Sequence, residues 1–159
     1  DQRRRILSLT VAHRTLTMAF NVLVVDDSAV MRQMVVRTLK MSGLPLGTVH
    51  EAANGEEGLF VLQDEWVDLL LLDINMPVMD GEEMLRRLRA QPETAELPVI
   101  VVSTEGSETR LAALHELGAA IVRKPFAPET LRDTILRITG VTDVEYYGAV
   151  PVADNGGDY

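Results

Sequence analysis

The sequence predicts an α/β fold: a five-stranded parallel, doubly wound sheet with five helices. Three observations predict it. Short aliphatic runs alternate strictly with amphipathic segments between Asn21 and Gly140, and such alternation with short links implies parallel strands joined by right-handed helical crossovers on both faces. The runs are unbroken, Leu69-Leu70-Leu71-Leu72 above all, as suits strands buried on both faces. That central run stops abruptly at Asp73, and in open parallel sheets chemistry gathers at the carboxyl ends of the strands.

Each element has its own signal. Asn21-Val22-Leu23-Val24-Val25 reads as a short buried strand ending at Asp26-Asp27. Ser28 is suited to cap a helix, in which Met31, Met34, Val35, Thr38 and Leu39 share a face; Gly43 stops it. Val49 to Ala53 is a weaker strand closed by Asn54-Gly55, and a second helix from about Glu56 turns Leu59, Leu62 and Trp66 inward. Val67 to Asp73 is the central strand, after which Pro77 forces a turn. Asp80-Gly81-Glu82-Glu83 has the spacing of a helix start, with Met84, Leu85 and Leu88 as the apolar stripe. Val99 to Val102 forms the fourth strand, ending at Ser103-Thr104, and Leu111, Leu114 and Leu117 mark a helix stopped by Gly118. Ala120 to Arg123 is the last strand. Pro128 opens the last helix, as proline suits a first turn; Leu131, Ile135 and Ile138 face inward and Gly140 ends it.

The bulk numbers bound the function. The length of 159 residues is enough for one domain with a real core. Apolar residues make up 47% but aromatics only 4%, so the core should be aliphatic. A net charge of −9 argues against a grip on nucleic acid. The absence of cysteine excludes disulfides and thiolate metal sites. No apolar run approaches the ~20 residues of a membrane span, and a cytoplasmic location is expected. Residues 1–18 carry Arg3, Arg4, Arg5 and Arg14 against an otherwise acidic chain. His13 and Arg14 interrupt their apolar stretch and no small-residue cleavage site follows, so they are read as an upstream extension outside the fold. Residues 19–140 are the folded domain, and 141–159 a flexible acidic tail.

The strand ends carry the chemistry. Asp26-Asp27, Asp73, Ser103-Thr104 and Lys124 all follow strands that point the same way, so they converge on one rim, where parallel neighbours lie ~4.8 Å apart. Carboxylates brought together repel unless a cation joins them, and oxygen ligands without cysteine favour Mg²⁺. With the Lys124 ammonium and the Ser103 hydroxyl, the set suits a phosphoryl group in transit. Singly, each residue has a plain role: Asp27 a helix cap, Ser103 and Asn75 turn residues, Lys124 a solvated surface lysine. Asp73 is harder to dismiss, because a carboxylate closing a buried leucine strand is costly without a partner.

At these residues the sequence resembles the receiver domain of two-component response regulators, especially the single-domain chemotaxis, CheY-like type. The resemblance covers about Ala19 to Thr139 and rests on Val24-Val25-Asp26-Asp27-Ser28, Leu72-Asp73-Ile74-Asn75-Met76-Pro77 with Met79-Asp80-Gly81, Val102-Ser103, and Lys124-Pro125-Phe126. Any one is weak; all four in order are very specific. The resemblance implies a flavodoxin-like strand order 2-1-3-4-5, with Asp73 as phosphoacceptor and Asp26 and Asp27 as the acidic pair for Mg²⁺. It also implies that the Asn75 main-chain carbonyl completes the metal shell, and that Ser103 and Lys124 contact the phosphoryl group. Glu105 and Asn75 match variable positions beside the site, and Lys124-Pro125 a peptide bond often cis in the family. The switch position on the last strand, usually Tyr or Phe, holds Ile121, and Ser103 replaces the commoner Thr.

The implied function is a signalling switch rather than an enzyme. A partner histidine kinase donates phosphoryl to Asp73, and a surface of the fourth helix, fifth strand and fifth helix then binds a downstream protein target. Two other readings stand beside it. An aspartyl-phosphate phosphatase of the dehalogenase-like kind wants a second Asp two residues after the nucleophile, where Asn75 stands, and a cap domain. An interaction module independent of phosphorylation would not need the full acidic set. A flavin carrier fits worst, since no phosphate-binding loop rich in Ser, Thr or Gly follows the first strand.

Overall fold

A computed structural model describes residues 19–104 and 106–141. Five strands form one parallel sheet in the order β2-β1-β3-β4-β5: β1 (Phe20–Val25), β2 (Leu46–Ala52), β3 (Leu69–Leu72), β4 (Val99–Ser103) and β5 (Ala120–Arg123). The helices are α1 (Ala29–Met41), α2 (Gly55–Asp64), α3 (Gly81–Ala90), α4 (Glu108–Glu116) and α5 (Pro128–Thr139). The predicted fold class and strand order are those observed.

The sheet divides an aliphatic core into two layers. On one face Val22, Val24, Leu69, Leu71 and Ile100 pack with Val35 and Leu39 of α1 and Leu131 and Ile135 of α5. On the other, Leu23, Val25, Leu70, Leu72 and Val101 pack with Met84, Leu85 and Leu88 of α3 and Leu111 and Leu114 of α4. Alternate residues of each strand thus serve opposite layers, which is why the runs are apolar throughout. Leu69 to Leu72 are all buried.

Helix starts follow their caps. Ser28, Asn54, Asp80 and Ser107 each accept a hydrogen bond from the N–H three residues on. Ala127 offers no such bond and Pro128 occupies the first turn instead. Gly43, Gly118 and Gly140 have positive φ, the conformation glycine tolerates best.

Several expectations need correction. Met34 lies on the solvent side of α1 at 55% exposure: the buried stripe is Val35 and Leu39, and a methionine one step from Val35 has been rotated away from it. The second strand begins at Leu46, where it pairs with Phe20, three residues earlier than its apolar pattern shows. Val67 is buried but precedes β3, and Asp73 lies just beyond it. In α2 the fully buried residues are Gly55 and Gly58, with Leu59 and Leu62 only partly covered. A Cβ on Gly58 would stand 2.7 Å from Met84 Cε and 3.1 Å from Val25 Cγ2, so the helix backbone itself lies against the core. Trp66 follows α2 and donates its indole N–H to Asp68 at 2.7 Å. Val141 is buried in the layer beneath α5, so packed chain continues one residue past Gly140. The extension 1–18 and the rest of the tail lie outside the described residues.

At the pole opposite the strand ends, Arg89 of α3 knits two connections together. Its Nε donates to Leu117 O at 2.7 Å, and its Nη1 to Thr94, Ala95 and Leu97 carbonyls at 3.2, 3.1 and 2.8 Å. A charged donor set satisfying several main-chain acceptors is expensive to delete. Arg89→Met, which keeps the apolar stem, is expected to lower unfolding free energy by about 2–4 kcal/mol in urea titrations.

Candidate functional site

The register of the sheet builds the site. Val25 is level with Leu72, and Leu72 with Val101, so Asp26 and Asp73 stand next to each other one step beyond their strands. Ser103 pairs with Arg123, which places Lys124 one step past Ser103. Main-chain bonds carry the ladder across the rim: Asp26 N–H donates to Ala52 O at 3.1 Å, Asp73 N–H to Val25 O at 2.9 Å, and Lys124 N–H to Ser103 O at 3.0 Å. The side chains therefore leave from fixed peptides.

Carboxylate oxygens of Asp26, Asp27 and Asp73 lie within 4.8 Å of one another. Asp26 is buried, Asp73 half-buried and Asp27 exposed. Asp26 is held on all sides: Oδ1 accepts from Ser28 N–H at 2.9 Å, Oδ2 lies 3.3 Å from Lys124 Nζ, and its main-chain oxygen accepts from Arg32 Nη1 at 2.6 Å. Arg32 is itself paired with Glu51 at 3.1 Å. Lys124 Nζ lies 3.9 Å from Asp73 Oδ1, so one ammonium serves two carboxylates. Ser103 is buried at the end of β4, on the same rim.

Burial pushes the Asp73 carboxyl above the ordinary aspartate range, and the Asp26 charge adds to the rise. The Lys124 ammonium and the Ile74 N–H oppose it, while Asp27 raises it further. The fold thus disfavours the charged form of the nucleophile-capable carboxyl.

The donor set fits a small divalent cation. Oxygens in an octahedral Mg²⁺ shell of ~2.1 Å radius are about 3.0 or 4.2 Å apart. A 4.8 Å spread closes to that with small side-chain rotation or one intervening water. Three carboxylates and one ammonium also leave negative charge in excess.

Residues 22–136 match the response regulator receiver domain family. The chain belongs to that family. It is 35% identical over 120 residues to the chemotaxis protein CheY homolog of Campylobacter jejuni, covering 74% of this chain and 91% of that one. It is 42% identical over 124 residues to a protein-glutamate methylesterase/protein-glutamine glutaminase of Halalkalibacterium halodurans, of which the match spans 34%. Among solved structures, Vibrio cholerae chemotaxis protein CheY4 superposes with a TM-score of 0.67 at 38% identity, covering 76% of this chain and 99% of that one. The protein is a two-component response regulator of the CheY-like type. Receivers of this kind are signalling regulators rather than classical enzymes; they take phosphoryl from histidine kinases, bind Mg²⁺ at an acidic pocket and act on downstream targets. Among the described residues no helix is long and apolar enough to cross a membrane.

The receiver's remaining predicted positions are distributed around this centre. Asn75 is exposed two residues past Asp73, and its side-chain oxygen accepts from Arg110 Nη1 at 2.8 Å. The Lys124-Pro125 peptide is cis. Ile121 is half-buried on β5 opposite Val101. Glu105 lies outside the described residues. Three contributors went unnoticed in the sequence. Arg32 and Arg110 reach the rim through folding alone, with no local signal. Gly81 stands in the sequence as part of a helix start and of the Met79-Asp80-Gly81 motif, with no sign of its contact: a Cβ there would overlap the Asp73 carbonyl oxygen.

The raised Asp73 value has a defined consequence for stability. Below about pH 4 the carboxyl is protonated in both folded and unfolded chains and costs nothing. As pH rises above that, the unfolded chain ionises first, so folding loses stability up to the native value and the loss is constant beyond it. In metal-free buffer Asp73→Asn is therefore expected to melt higher than wild type at pH 7, with the advantage disappearing by pH 3. Thermal melts across that range measure it.

Proposed function

We propose that Asp73 is the phosphoacceptor of this receiver and that a histidine kinase is its donor. The observation that supports this is the placement of Asp73 within 4.8 Å of the Asp26 and Asp27 carboxylate oxygens and 3.9 Å from the Lys124 ammonium. An ionised Asp73 oxygen attacks the phosphorus of a phosphohistidine. The P–N bond breaks, and its electron pair returns to the imidazole nitrogen, which takes up a proton. Lys124 faces the charge on the phosphoryl oxygens, and the Ser103 hydroxyl donates to one of them. Water later attacks phosphorus, the P–O bond to Asp73 breaks, and inorganic phosphate leaves.

Asp26, Asp27, Asp73 and the main-chain carbonyl of Asn75 are the groups that would hold Mg²⁺. The bound cation supplies charge neutralisation for the transferring group. Asp27, exposed at the rim, is the ligand freest to adjust; Asp26, with both oxygens engaged, acts through water.

Phosphorylation replaces the single charge of an ionised Asp73 by the charge of a phosphoryl group, about −1.5 to −2. This net gain of up to about one negative charge, at a site already rich in acid, biases the rim between two arrangements and changes a protein-binding surface on α4, β5 and α5. The names of the relatives support a chemotaxis role, and this reading places its action in the cytoplasm. Residues 19–141 form the working unit in this reading, with 1–18 and 142–159 outside it. Glu105 and Ile121 modulate the site rather than perform the chemistry.

Incubation with radiolabelled acetyl phosphate or a phosphorylated histidine kinase tests the assignment. Wild type is expected to take up an acid-stable, base-labile label that requires Mg²⁺. Asp73→Asn should take up none, and Lys124→Ala should bind Mg²⁺ while losing at least tenfold in labelling rate. Normal labelling of Asp73→Asn would end the reading, and steady turnover of a simple phosphomonoester would favour a phosphatase.

A further inference from the structure

The loop from β3 to α3 is anchored at its ends by the main chain. Gly81 N–H donates to Ile74 O at 2.8 Å, and Gly55 N–H to Met79 O at 3.0 Å. Between these anchors Asn75, Pro77 and Val78 are exposed. Val78 has φ 68 within a tight turn closed by Met79 N–H on Pro77 O at 2.8 Å, a costly conformation for a β-branched residue. The first exposed residue of this stretch is gripped from another element. Arg110, in the first turn of α4, donates from Nη1 to Asn75 Oδ1 at 2.8 Å across 35 positions of sequence. That is a short, charge-assisted bond.

We propose that Arg110 is a positioning residue for the cation site: by holding the Asn75 side chain, it fixes the Asn75 peptide and ties the site to the start of α4. This rests on the Mg²⁺ reading given above. Mg²⁺ demands near-ideal octahedral geometry, so a main-chain ligand on an exposed loop serves only if its peptide is held still. Groups that orient metal ligands are typically worth 10- to 100-fold in affinity. Charge acts the other way. A guanidinium beside an acidic cation site repels the cation, so charge alone predicts that deleting Arg110 tightens Mg²⁺ binding. Orientation predicts that it loosens. The two accounts differ in sign, which makes the role measurable without any phosphorylation assay. Coupling is also reciprocal: if Arg110 helps retain the cation, the cation helps retain Arg110, and α4 gains order on binding.

Calorimetric titration of the full chain with MgCl₂ tests this, using wild type, Arg110→Ala, Arg110→Lys, Asn75→Ala, the Arg110→Ala/Asn75→Ala double variant, and Asp27→Asn as the site control. Arg110→Ala and Asn75→Ala are each expected to raise Kd about tenfold, and the double variant no further than either. Arg110→Lys, which keeps the charge and one donor, should recover to within about threefold of wild type. Hydrogen exchange over α4 should slow with Mg²⁺ in wild type and not in Arg110→Ala. An unchanged or tighter Kd in Arg110→Ala, or additive losses in the double variant, overturns the proposal while leaving the cation site intact. Failure of wild type to bind Mg²⁺, or full binding by Asp27→Asn, removes the cation site and this inference with it.

Discussion

The molecule turns on an imbalance of charge at the mouth of a dry core. Asp26, Asp27 and Asp73 bring their oxygens within 4.8 Å of one another, and one ammonium, Lys124, stands 3.3 Å from Asp26 and 3.9 Å from Asp73. At an effective dielectric near 20, a pair of unit charges 4 Å apart interacts by about 4 kcal/mol. Two such attractions do not offset three mutual repulsions together with the desolvation of a buried carboxylate. The rise in the Asp73 pKa is the visible sign of that shortfall. A site left short of positive charge is suited to a cation and to a group whose transfer the cation makes easier.

The rest of the fold serves to keep those groups where they repel. Strands buried on both faces cannot slip without exposing a layer of leucine and valine, so the registers Val25 to Leu72 and Leu72 to Val101 hold the strand ends in step. The absence of side chains matters as much as their presence. At Gly81 the start of α3 touches the Asp73 carbonyl, and at Gly58 α2 lies directly on Met84 and Val25. A methyl group at Gly81 would push helix and aspartate apart. At the far pole, Arg89 satisfies carbonyls of the two connections that lead into β4 and β5, so the strands bearing Ser103 and preceding Lys124 are anchored at their bases.

The fold was legible because it rests on patterns that are local in sequence: aliphatic runs, helix caps and glycine stops. The centre of the site was legible because parallel strands put their ends on one rim, so Asp26, Asp73, Ser103 and Lys124 share a place as soon as their strands share a direction. What escaped was non-local or subtractive. Met34 belongs to the apolar set of α1 by type, but the burial of Val35 and Leu39 decides which way the helix turns. Glycine carries no hydrophobic signal, so the inner face of α2 was credited to Leu59 and Leu62. Arg32 and Arg110 bond to groups 6 and 35 residues away, and nothing in their own neighbourhoods marks them.

Ile121 bears on how such a site communicates with a distant face. Isoleucine is branched at Cβ and stiff at χ1, and here it is packed against the core opposite Val101. It has little room to act as a moving part. Two polar links, by contrast, are bonded across the rim. Ser103 and Lys124 are joined by a main-chain bond between β4 and β5, so a displacement of the hydroxyl strand draws on the lysine that faces the aspartates. Asn75 and Arg110 are joined between the loop after β3 and the start of α4. Both links begin beside the aspartates and end on the side of the molecule formed by α4 and β5. Polar links of this kind are sensitive to salt and to single hydrogen-bond deletions.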